Sequence, residues 1–508
     1  MAEAEPVSET ATPFGVAVTR LATAAPDRPT ITHEDRTVTR RELERRTNRL
    51  ARAYARLGVS PDSFVTIALP NGIAFFEATI AAWKLGATPQ PISTRLPAVE
   101  RRAILELAAP ALVVGVDPSE APGRRTVPPG FEPEATLADD PLPPVVPGSW
   151  KAPTSGGSTG RPKLIVSTQP GVLETIAGLY RRTPRVDEGV GLVTGPLAHN
   201  GPFASACAGL LMGVHQVVMT RFDAARALDL IERYRVDWMY AVPTMMLRIW
   251  RLPEAERRAR DLSSLRTVLH MAAPCPPWLK QAWIDWLGPD RIWELYGGTE
   301  AQALTVINGH EWLTHRGSVG RPVIGEIRVL DAESHACPPG EVGEVWMRQG
   351  EGAPPSYRYI GAQARVREGW ESLGDMGWMD GEGYLYLTDR DTDMILIGGR
   401  NVYPAEVEAA LEEHPGVRGS CVIGLPDEDL GNVVHAIIQV DGEVRDAELL
   451  THLRERLTRY KLPRSFERVN EPLRDEAGKV RRPALRAARV DAALPDEAAP
   501  SRINRSPT

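Results

Sequence analysis

Three short segments of the chain combine glycine with residue types that bind phosphate or magnesium. The first covers residues 155–163, SGGSTGRPK. Its glycines let successive backbone N–H groups converge on an anion, and its hydroxyls and the Lys163 ammonium add donors. This chemistry suits a polyphosphate. The segment differs from the G-x-x-x-x-G-K-S/T loop because Lys163 comes three residues after Gly160 and no hydroxyl follows it. A flexible Gly/Ser turn is the alternative.

The second segment covers residues 294–300, ELYGGTE. Tyr296 could stack on a base, the two glycines admit a ligand close to the backbone, and Thr299 could donate to a phosphate oxygen. Glu300 is a hard oxygen ligand suited to Mg²⁺. A strand end followed by a turn with a capping hydroxyl is the alternative.

The third segment is Gly374-Asp375, followed by the acidic run at 389–393 and by residues 397–404, IGGRNVYP. An aspartate can accept both hydroxyls of a ribose, and an arginine can close on the same sugar. A solvated acidic loop is the alternative.

Lysine is rare in this arginine-rich chain, yet Lys163 lies in the first segment and Lys479 follows a glycine in EAGKVRR at 476–482. A lysine is a compact point charge, whereas an arginine is a planar fork. The two lysines therefore indicate sites that need a point charge. A solvated lysine in a turn is the alternative.

The elements that position these segments alternate between helices and short β-branched strands, which predicts α/β layers. Residues 41–57 form an amphipathic helix pattern, 65–69 predict a strand, and a second helix runs through Lys84. Residues 265–269 and 276–287 again predict a strand and then a helix. The Pro-, Gly- and acid-rich residues 117–147 predict a surface excursion.

A second compact unit is predicted after a boundary at 388–390. It has strands at 394–397, 420–423 and 433–440 and helices at 404–412 and 447–457. The predicted division is 1–388 for the N-terminal domain, 389–493 for the C-terminal domain and 494–508 for a disordered tail.

Composition limits the function classes. A chain of 508 residues predicts two or more domains, and a net charge of −7 argues against nucleic-acid binding. Four widely spaced cysteines predict neither a disulfide framework nor a zinc site. The acidic N-terminus does not match a signal peptide, and no apolar run reaches membrane-spanning length. We expect a cytoplasmic protein.

Taken in order, the segments resemble the adenylate-forming superfamily of acyl-CoA synthetases, peptide-synthetase adenylation domains and beetle luciferases. The resemblance covers about Ala17 to Arg486. It implies a large N-terminal domain of α/β subdomains and a small mobile C-terminal α+β domain, with the active site between them.

The resemblance also implies residue roles. It assigns nucleotide binding to Ser155, Gly156, Gly157, Ser158, Thr159, Gly160, Lys163, Ala272, Ala273, Pro274, Glu294, Leu295, Tyr296, Gly297, Thr299, Asp375, Leu387 and Arg390. The substrate pocket is assigned to His199, Asn200, Gly201, Phe203, Ala241, Val242, Met271 and Gly298. Lys479, Thr299, Glu300 and His199 are implied as catalytic, Glu300 as the Mg²⁺ ligand, Thr392 as the hinge, and Gly398 and Gly399 as the CoA tunnel.

The implied activity is ATP- and Mg²⁺-dependent formation of an acyl-AMP from a carboxylic acid, followed by transfer to CoA. The chain departs from the family at three positions: Thr392 replaces the usual Asp or Lys pivot, Gly156 replaces a common hydroxyl, and Met271 replaces a common glycine. The first departure leaves the thioester step open. The alternatives are adenylation alone, with the acyl group passed to a carrier protein or partner ligase, and a non-catalytic nucleotide-binding regulator. A homodimer is a further expectation.

The acid itself is a separate prediction. The pocket residues are mostly apolar, and we find no residue suited to recognising an amino group, which disfavours amino acids. The pattern is similar to that of bacterial ligases for fatty, aromatic or bulky polycyclic acids. We therefore expect a bulky cyclic or terpenoid-like carboxylate.

Overall fold

The computed structural model describes residues 11–156, 162–182, 184, 186, 188–390, 393–397, 400–427, 429–475 and 478–493. These residues form two compact units. The first contains residues 11–373 and 377–387, together with Gly478, and the second contains 374–376, 388–475 and 479–493. Each unit has a hydrophobic core of its own.

The strands are numbered along the chain. They are β1 Pro29–His33, β2 Arg36–Thr39, β3 Phe64–Ile67, β4 Thr88–Pro91, β5 Leu112–Val114, β6 Thr126–Val127, β7 Thr154–Gly156, β8 Pro162–Ser167, β9 Val190–Val193, β10 His215–Val218, β11 Trp238–Ala241, β12 Thr267–His270, β13 Ile292–Tyr296, β14 Leu304–Asn308, β15 Ser318–Ile324, β16 Glu326–Leu330, β17 Gly343–Arg348, β18 Tyr357–Ile360, β19 Arg365–Arg367, β20 Trp370–Met379, β21 Leu385–Arg390, β22 Ile395–Ile397, β23 Arg400–Val402, β24 Val417–Asp427, β25 Gly431–Val440 and β26 Ser465–Arg468.

The α-helices are numbered in the same way. They are α1 Phe14–Ala24, α2 Arg40–Arg56, α3 Ile73–Lys84, α4 Ala98–Ala108, α5 Leu173–Tyr180, α6 Asn200–Leu211, α7 Ala224–Tyr234, α8 Pro243–Trp250, α9 Glu254–Arg258, α10 Pro277–Leu287, α11 Gly309–Thr314, α12 Pro404–Glu412, α13 Asp446–Arg454 and α14 Arg482–Ala493. In the part of the chain that the structure describes, none of these helices is both long and apolar enough to cross a membrane.

A large mixed sheet forms the centre of the first unit. Its neighbours run β16-β17-β20-β21-β15-β14-β13-β12-β11-β9-β10-β1-β2, with β19 beside β20. The strands from β13 through β12, β11, β9 and β10 to β1 are parallel. A parallel four-stranded sheet, β4-β3-β5-β6, and an antiparallel three-stranded sheet, β18-β8-β7, complete the unit. The predicted α/β fold class is confirmed.

The sequence of helix α2 accounts for the start of the helix and for its buried face. The Thr39 hydroxyl accepts a hydrogen bond from the Glu42 amide, and the Glu42 carboxylate accepts one from the Thr39 amide, which closes a capping box. Leu43 and Leu50, two turns apart, are buried on the inner face. The helix predicted at 41–57 is confirmed, and so are the strand at 65–69 and the helix ending at Lys84, within a few residues.

The outer face of α2 binds the predicted surface excursion at 117–147. The only regular structure within residues 117–147 is a 3-10 turn at Pro118–Glu120 and the short strand β6. Arg45 donates to Asp139 at 2.7 Å, and Arg49 donates to the same carboxylate at 2.5 Å. Arginines spaced along one face of α2 therefore hold residues 117–147 against this helix.

The second unit contains the hairpin β22–β23, the sheet β24-β25-β26 and helices α12 to α14. β24 and β25 are antiparallel, and β26 joins β25 in parallel. The strands and helices predicted for this part of the chain are confirmed, α12 with the same bounds.

The four cysteines are free thiols. Cys207 and Cys421 are buried, whereas Cys275 and Cys337 are partly exposed. Burial raises the pKa of every one of the four, to about 12 for Cys421.

Candidate active site

The sheet β18-β8-β7 places Lys163 beside a tyrosine that lies far away in sequence. β8 pairs with β7 through Ser155 and Lys163, and with β18 through Ile165 and Tyr359. The Lys163 ammonium lies 3.9 Å from the centroid of the Tyr359 ring. At this distance the ring face attracts the cation.

Glu300 is the acceptor that this pair faces, and it is 5% exposed. Its Oε1 accepts a hydrogen bond from the Tyr359 hydroxyl at 2.5 Å, and the Lys163 ammonium lies 3.5 Å from the same oxygen. Burial and the Glu300 charge both raise the pKa of Tyr359, so the phenol stays protonated and donates. Among the described residues, Oε2 of Glu300 has no hydrogen-bond partner.

Two glycines at the end of β13 leave room for neighbouring side chains, and one of them adjoins this carboxylate. A Cβ on Gly298 would lie 2.9 Å from Glu300 Oε2 and 2.4 Å from Cδ1 of Leu373. A Cβ on Gly297 would lie 2.2 Å from Cδ2 of Leu304. A side chain at either position would displace its neighbours, so glycine suits the close packing at the end of β13. Thr299 is half-buried in the turn that follows them.

The donor set at Glu300 suits Mg²⁺. The ion takes oxygen ligands, and it is commonly held by one or two carboxylates together with substrate phosphates. Glu300 offers one carboxylate oxygen that has no partner in the described part of the chain. Groups of three or more potential metal ligands do not occur among the described residues, so a metal ion here would depend on ligand oxygens.

The side chain of Glu294 is bound elsewhere. Its Oε2 accepts a hydrogen bond from Lys280 at 2.6 Å, and both residues are buried. His270 lies 3.9 Å away, and burial lowers its pKa to about 4, so the ring is neutral at physiological pH. This pair joins β13 to α10. The neighbouring Leu295, Tyr296 and Leu387 pack partly buried against the hydrophobic core.

Most of the predicted acid-pocket residues lie near the carboxyl ends of parallel strands β9, β11 and β12, and Gly298 follows β13. His199 is the N-cap of α6, so Asn200 and Gly201 form its first turn. Ala241 ends β11 and Val242 follows it. Carboxyl ends of strands in α/β sheets commonly form ligand sites.

Two further predicted residues near this edge differ in exposure. Met271 is partly buried and directly follows β12. Phe203 is fully buried and packs against Trp150 and Phe75, so it supports the first turn of α6 from inside the core.

Ala272 departs from ordinary backbone geometry. Its φ is +75°, in the left-handed region that L-residues seldom adopt. Ala273 and Pro274 follow it in a partly exposed loop after β12. Strained backbone of this kind is often found at ligand sites.

In the second unit, Lys479 is exposed and ends a short loop. Its backbone N–H donates to Oδ1 of Asp475 at 2.8 Å, and its carbonyl accepts from the Asp475 amide at 2.9 Å. This closed turn fixes the backbone around Lys479. Asp375 follows Gly374, whose φ is +82°.

Several predicted residues lie outside the described part of the chain: Gly157, Ser158, Thr159, Gly160, Thr392, Gly398 and Gly399. For Ser155, Gly156 and Arg390 the structure describes the backbone but not the side chain.

Sequence reasoning missed Tyr359 and Lys151. Tyr359 gave no signal because it lies 59 residues from Glu300 in the sequence, and its strand β18 pairs with the distant strand β8. Lys151 precedes the glycine-rich segment, and its side chain donates to Asn200 Oδ1. A buried lysine in an apolar run of a lysine-poor chain was the signal that could have identified it.

The sequence matches two known family models. The model of the AMP-binding enzyme family matches residues 18–357, and that of the AMP-binding enzyme C-terminal domain matches 406–479. The chain is an AMP-binding enzyme of the adenylate-forming superfamily. The predicted resemblance is confirmed.

This AMP-binding enzyme is similar in sequence to CoA ligases. It is 33% identical to a feruloyl-CoA synthase of an Amycolatopsis species over 475 residues, which cover 91% of this chain and 96% of the relative. It is 31% identical to a Mycobacterium tuberculosis ligase that joins CoA to a methyl-dioxo-octahydroindenyl propanoyl group, with 92% and 97% covered.

Solved structures show the same fold. The o-succinylbenzoate CoA synthetase of Bacillus subtilis, in complex with its acyl-adenylate intermediate, is 26% identical with a TM-score of 0.81, covering 94% of this AMP-binding enzyme and 98% of that chain. The same synthetase in complex with ATP and a magnesium ion has a TM-score of 0.78 at 26% identity, with 92% and 98% covered.

Proposed function

We propose that this enzyme uses ATP and Mg²⁺ to convert an organic carboxylic acid into an acyl-AMP, releases pyrophosphate, and then transfers the acyl group to CoA. The observation that carries the proposal is Glu300, a buried carboxylate with one oxygen bound by Tyr359 and Lys163 and the other without a partner among the described residues. Such an arrangement suits a metal that accompanies a triphosphate.

The nucleotide end of the reaction needs charge neutralisation, because an anionic acid must approach an anionic α-phosphate. Mg²⁺, when bound, supplies positive charge at the phosphates. Glu300 holds that charge in place, and Lys163, next to it, screens the departing pyrophosphate. Thr299 donates to the α-phosphate in this proposal, while Tyr296 and the loop 272–274 enclose the adenine.

Lys479 completes the proposed chemistry. Its ammonium would contact the carboxylate and the α-phosphate during adenylation, which stabilises the charge that spreads over both in the transition state. Asp375 and Arg390 are proposed to bind the ribose, and His199 to border the acid pocket.

The thioester step is supported by the relatives, which are named as a CoA synthase and a CoA ligase. In the proposed second half-reaction the C-terminal unit turns about Thr392, and Gly398 and Gly399 border the path of the thiol.

The acid is proposed to be bulky and cyclic. The acids of the two relatives are aromatic or bicyclic, and the pocket residues Val242, Met271 and Ala241 are apolar. A hydroxamate-release screen across acid classes tests this proposal, and preference for an amino acid would contradict it.

The central experiment measures acid-dependent exchange of pyrophosphate into ATP, without CoA, and then thioester formation with CoA. Lys479→Ala is expected to lower exchange by about 10³-fold, the cost of removing a group that stabilises transition-state charge, while ATP binding persists. Lys461→Ala is the matched control, because Lys461 is paired with Glu406 on the surface. Equal exchange by wild type and Lys479→Ala would refute the role of Lys479.

Exchange without any thioester product would favour the alternative acceptor, a carrier protein or partner ligase. Nucleotide binding without exchange for any acid offered would refute the adenylation itself.

A further inference from the structure

Lys151 is a buried cation to which the proposed chemistry gives no role. The residue is 6% exposed, its Nζ donates to Asn200 Oδ1, and the ammonium lies 4.7 Å from the centroid of the Trp150 ring. Burial lowers the pKa of Lys151 to about 8, and the Glu300 charge acts in the opposite direction. The side chain is therefore charged at neutral pH.

Two other buried lysines show what this cation lacks. Lys84 is 5% exposed and donates to Glu44 at 2.7 Å, and Lys280 is 1% exposed and donates to Glu294 at 2.6 Å. Lys151 has no carboxylate within ion-pair distance in the part of the chain that the structure describes. A buried ammonium without a counter-charge destabilises the fold. A ligand that supplies an acceptor would therefore stabilise the folded protein when it binds.

The partner of Lys151 lies where the acid is proposed to bind. Asn200 begins α6, and a Cβ on the next residue, Gly201, would lie 3.0 Å from the Tyr240 hydroxyl and 3.4 Å from Sδ of Met271. Tyr240 itself is 3% exposed. Its hydroxyl has no hydrogen-bond partner among the described residues. Two donors, the Lys151 ammonium and the Tyr240 hydroxyl, thus lie near the first turn of α6 with hydrogen-bonding capacity that the described residues do not satisfy.

On the basis of the proposed function, we propose that the acid carries a second oxygen acceptor, a ketone or carboxylate remote from the reacting carboxylate, which Lys151 and Tyr240 bind. An ammonium has three donors, and Asn200 uses one of them. A plain hydrocarbon acid would leave the others buried without partners, and sites of this kind discriminate strongly against such analogues. The pocket is therefore apolar along the acid's skeleton and polar at one point.

The triphosphate is the other source of oxygen acceptors, since Glu300 lies close enough to influence Lys151. The two sources differ in what a change at Lys151 affects. Loss of an acid contact raises the KM for the acid, whereas loss of a phosphate contact raises the KM for ATP.

The test compares matched acids in the pyrophosphate-exchange assay: 3-cyclohexylpropanoate, its 4-oxo analogue and its 4-carboxy analogue. Wild type, Lys151→Met and Tyr240→Phe are measured with each acid. Met preserves the length of the side chain without its charge, and Phe preserves the ring packed against Gly195 while removing only the hydroxyl. Thermal unfolding of each variant confirms that it is folded.

We expect wild type to prefer an oxygenated acid by roughly tenfold or more in kcat/KM, about the value of one hydrogen bond to a charged group. Lys151→Met should abolish the preference with no change in the KM for ATP, and Tyr240→Phe should reduce it. Equal kcat/KM values for all three acids in wild type, or a raised KM for ATP with the preference retained, would overturn this inference and leave the adenylation intact. Failure of every acid to support exchange would overturn the proposed function itself.

Discussion

Two buried glutamates, one in each unit, have very different surroundings. Glu408 in the second unit accepts from Arg474 at 2.8 Å on one oxygen, and from Arg482 at 2.6 Å and the Val422 amide at 2.8 Å on the other. Glu300 in the first unit uses only Oε1 among the described residues, and its cation lies 3.5 Å away. One carboxylate is saturated and the other is not.

We interpret this difference as one between a structural charge and a proposed functional charge. Glu408 joins α12 to β24 and, through Arg482, to Asp393 at 3.1 Å, so its partners belong to the fold. Burying a charge without full compensation is costly. The incomplete set at Glu300 is therefore best understood as a site whose remaining partner is a ligand.

Glu408→Gln removes the charge of the saturated carboxylate. Two partly buried guanidinium groups would lose the carboxylate that they share, and Arg482 would keep only Asp393. We expect the free energy of unfolding of the second unit to fall by about 3 kcal/mol. Urea denaturation of the full chain measures it. Glu406→Gln, which removes an exposed partner of Lys461, is the control and should cost no more than about 1 kcal/mol. A similar loss in both variants would contradict the structural role of Glu408.

Glu300→Gln should show the opposite profile. The amide keeps the shape but cannot hold Mg²⁺, so we expect kcat for pyrophosphate exchange to fall by about 10²-fold, as for loss of one charge-stabilising group. The KM for Mg²⁺ should rise. The midpoint of thermal unfolding should change little, because only one strong hydrogen bond is affected. A stability loss as large as that of Glu408→Gln would make Glu300 a structural residue as well.

The pH dependence of acid binding tests the role of the Lys151 charge. Because burial lowers its pKa to about 8, the ammonium is charged below that pH and neutral above it. Asn200 and Trp150, which contact it, do not titrate, and Glu300 is the nearby charge. Between pH 7 and pH 9 we expect the KM for an oxygenated acid to rise by roughly tenfold, which corresponds to one pH unit beyond the pKa. Exchange without CoA avoids titration of the thiol, and Lys151→Met should give a flat profile.

Tyr359→Phe should give the smallest effect. It removes the hydroxyl that donates to Glu300 Oε1 and keeps the ring that lies against Lys163. The loss of one hydrogen bond, about 1 kcal/mol, predicts a change of about fivefold in the KM for the ATP–magnesium complex. Tyr357→Phe is a neighbouring control, since its hydroxyl donates to Glu371 instead. Equal changes in both variants would show that the effect does not pass through Glu300.

Helices and strands were predicted correctly where capping residues and apolar periodicity determine them locally. The capping box at Thr39 and the periodic Leu43 and Leu50 define α2 without help from distant residues. The order of strands in the large sheet did not follow from the sequence. Parallel neighbours such as β9 and β11 are separated by α6, β10 and α7, and only tertiary packing decides which strands pair.

The candidate site was predicted from residue types, and its geometry could not be predicted. Lys163 and Glu300 were recognised from glycine-rich surroundings, yet nothing local indicated that Tyr359 joins them. Glu294 belonged to the same motif, but its carboxylate is bound by Lys280 because α10 packs against β13. Hydrogen bonding between distant residues determines which members of a motif remain available to a ligand.

The free cysteines have a consequence for an enzyme that is proposed to handle a thiol co-substrate. Thiol–disulfide exchange requires the thiolate, and burial keeps Cys207 and Cys421 protonated. Cys275 and Cys337 also have raised pKa values. Oxidised CoA would therefore form mixed disulfides with this protein only slowly. The enzyme should tolerate a coenzyme pool in which part of the CoA is oxidised.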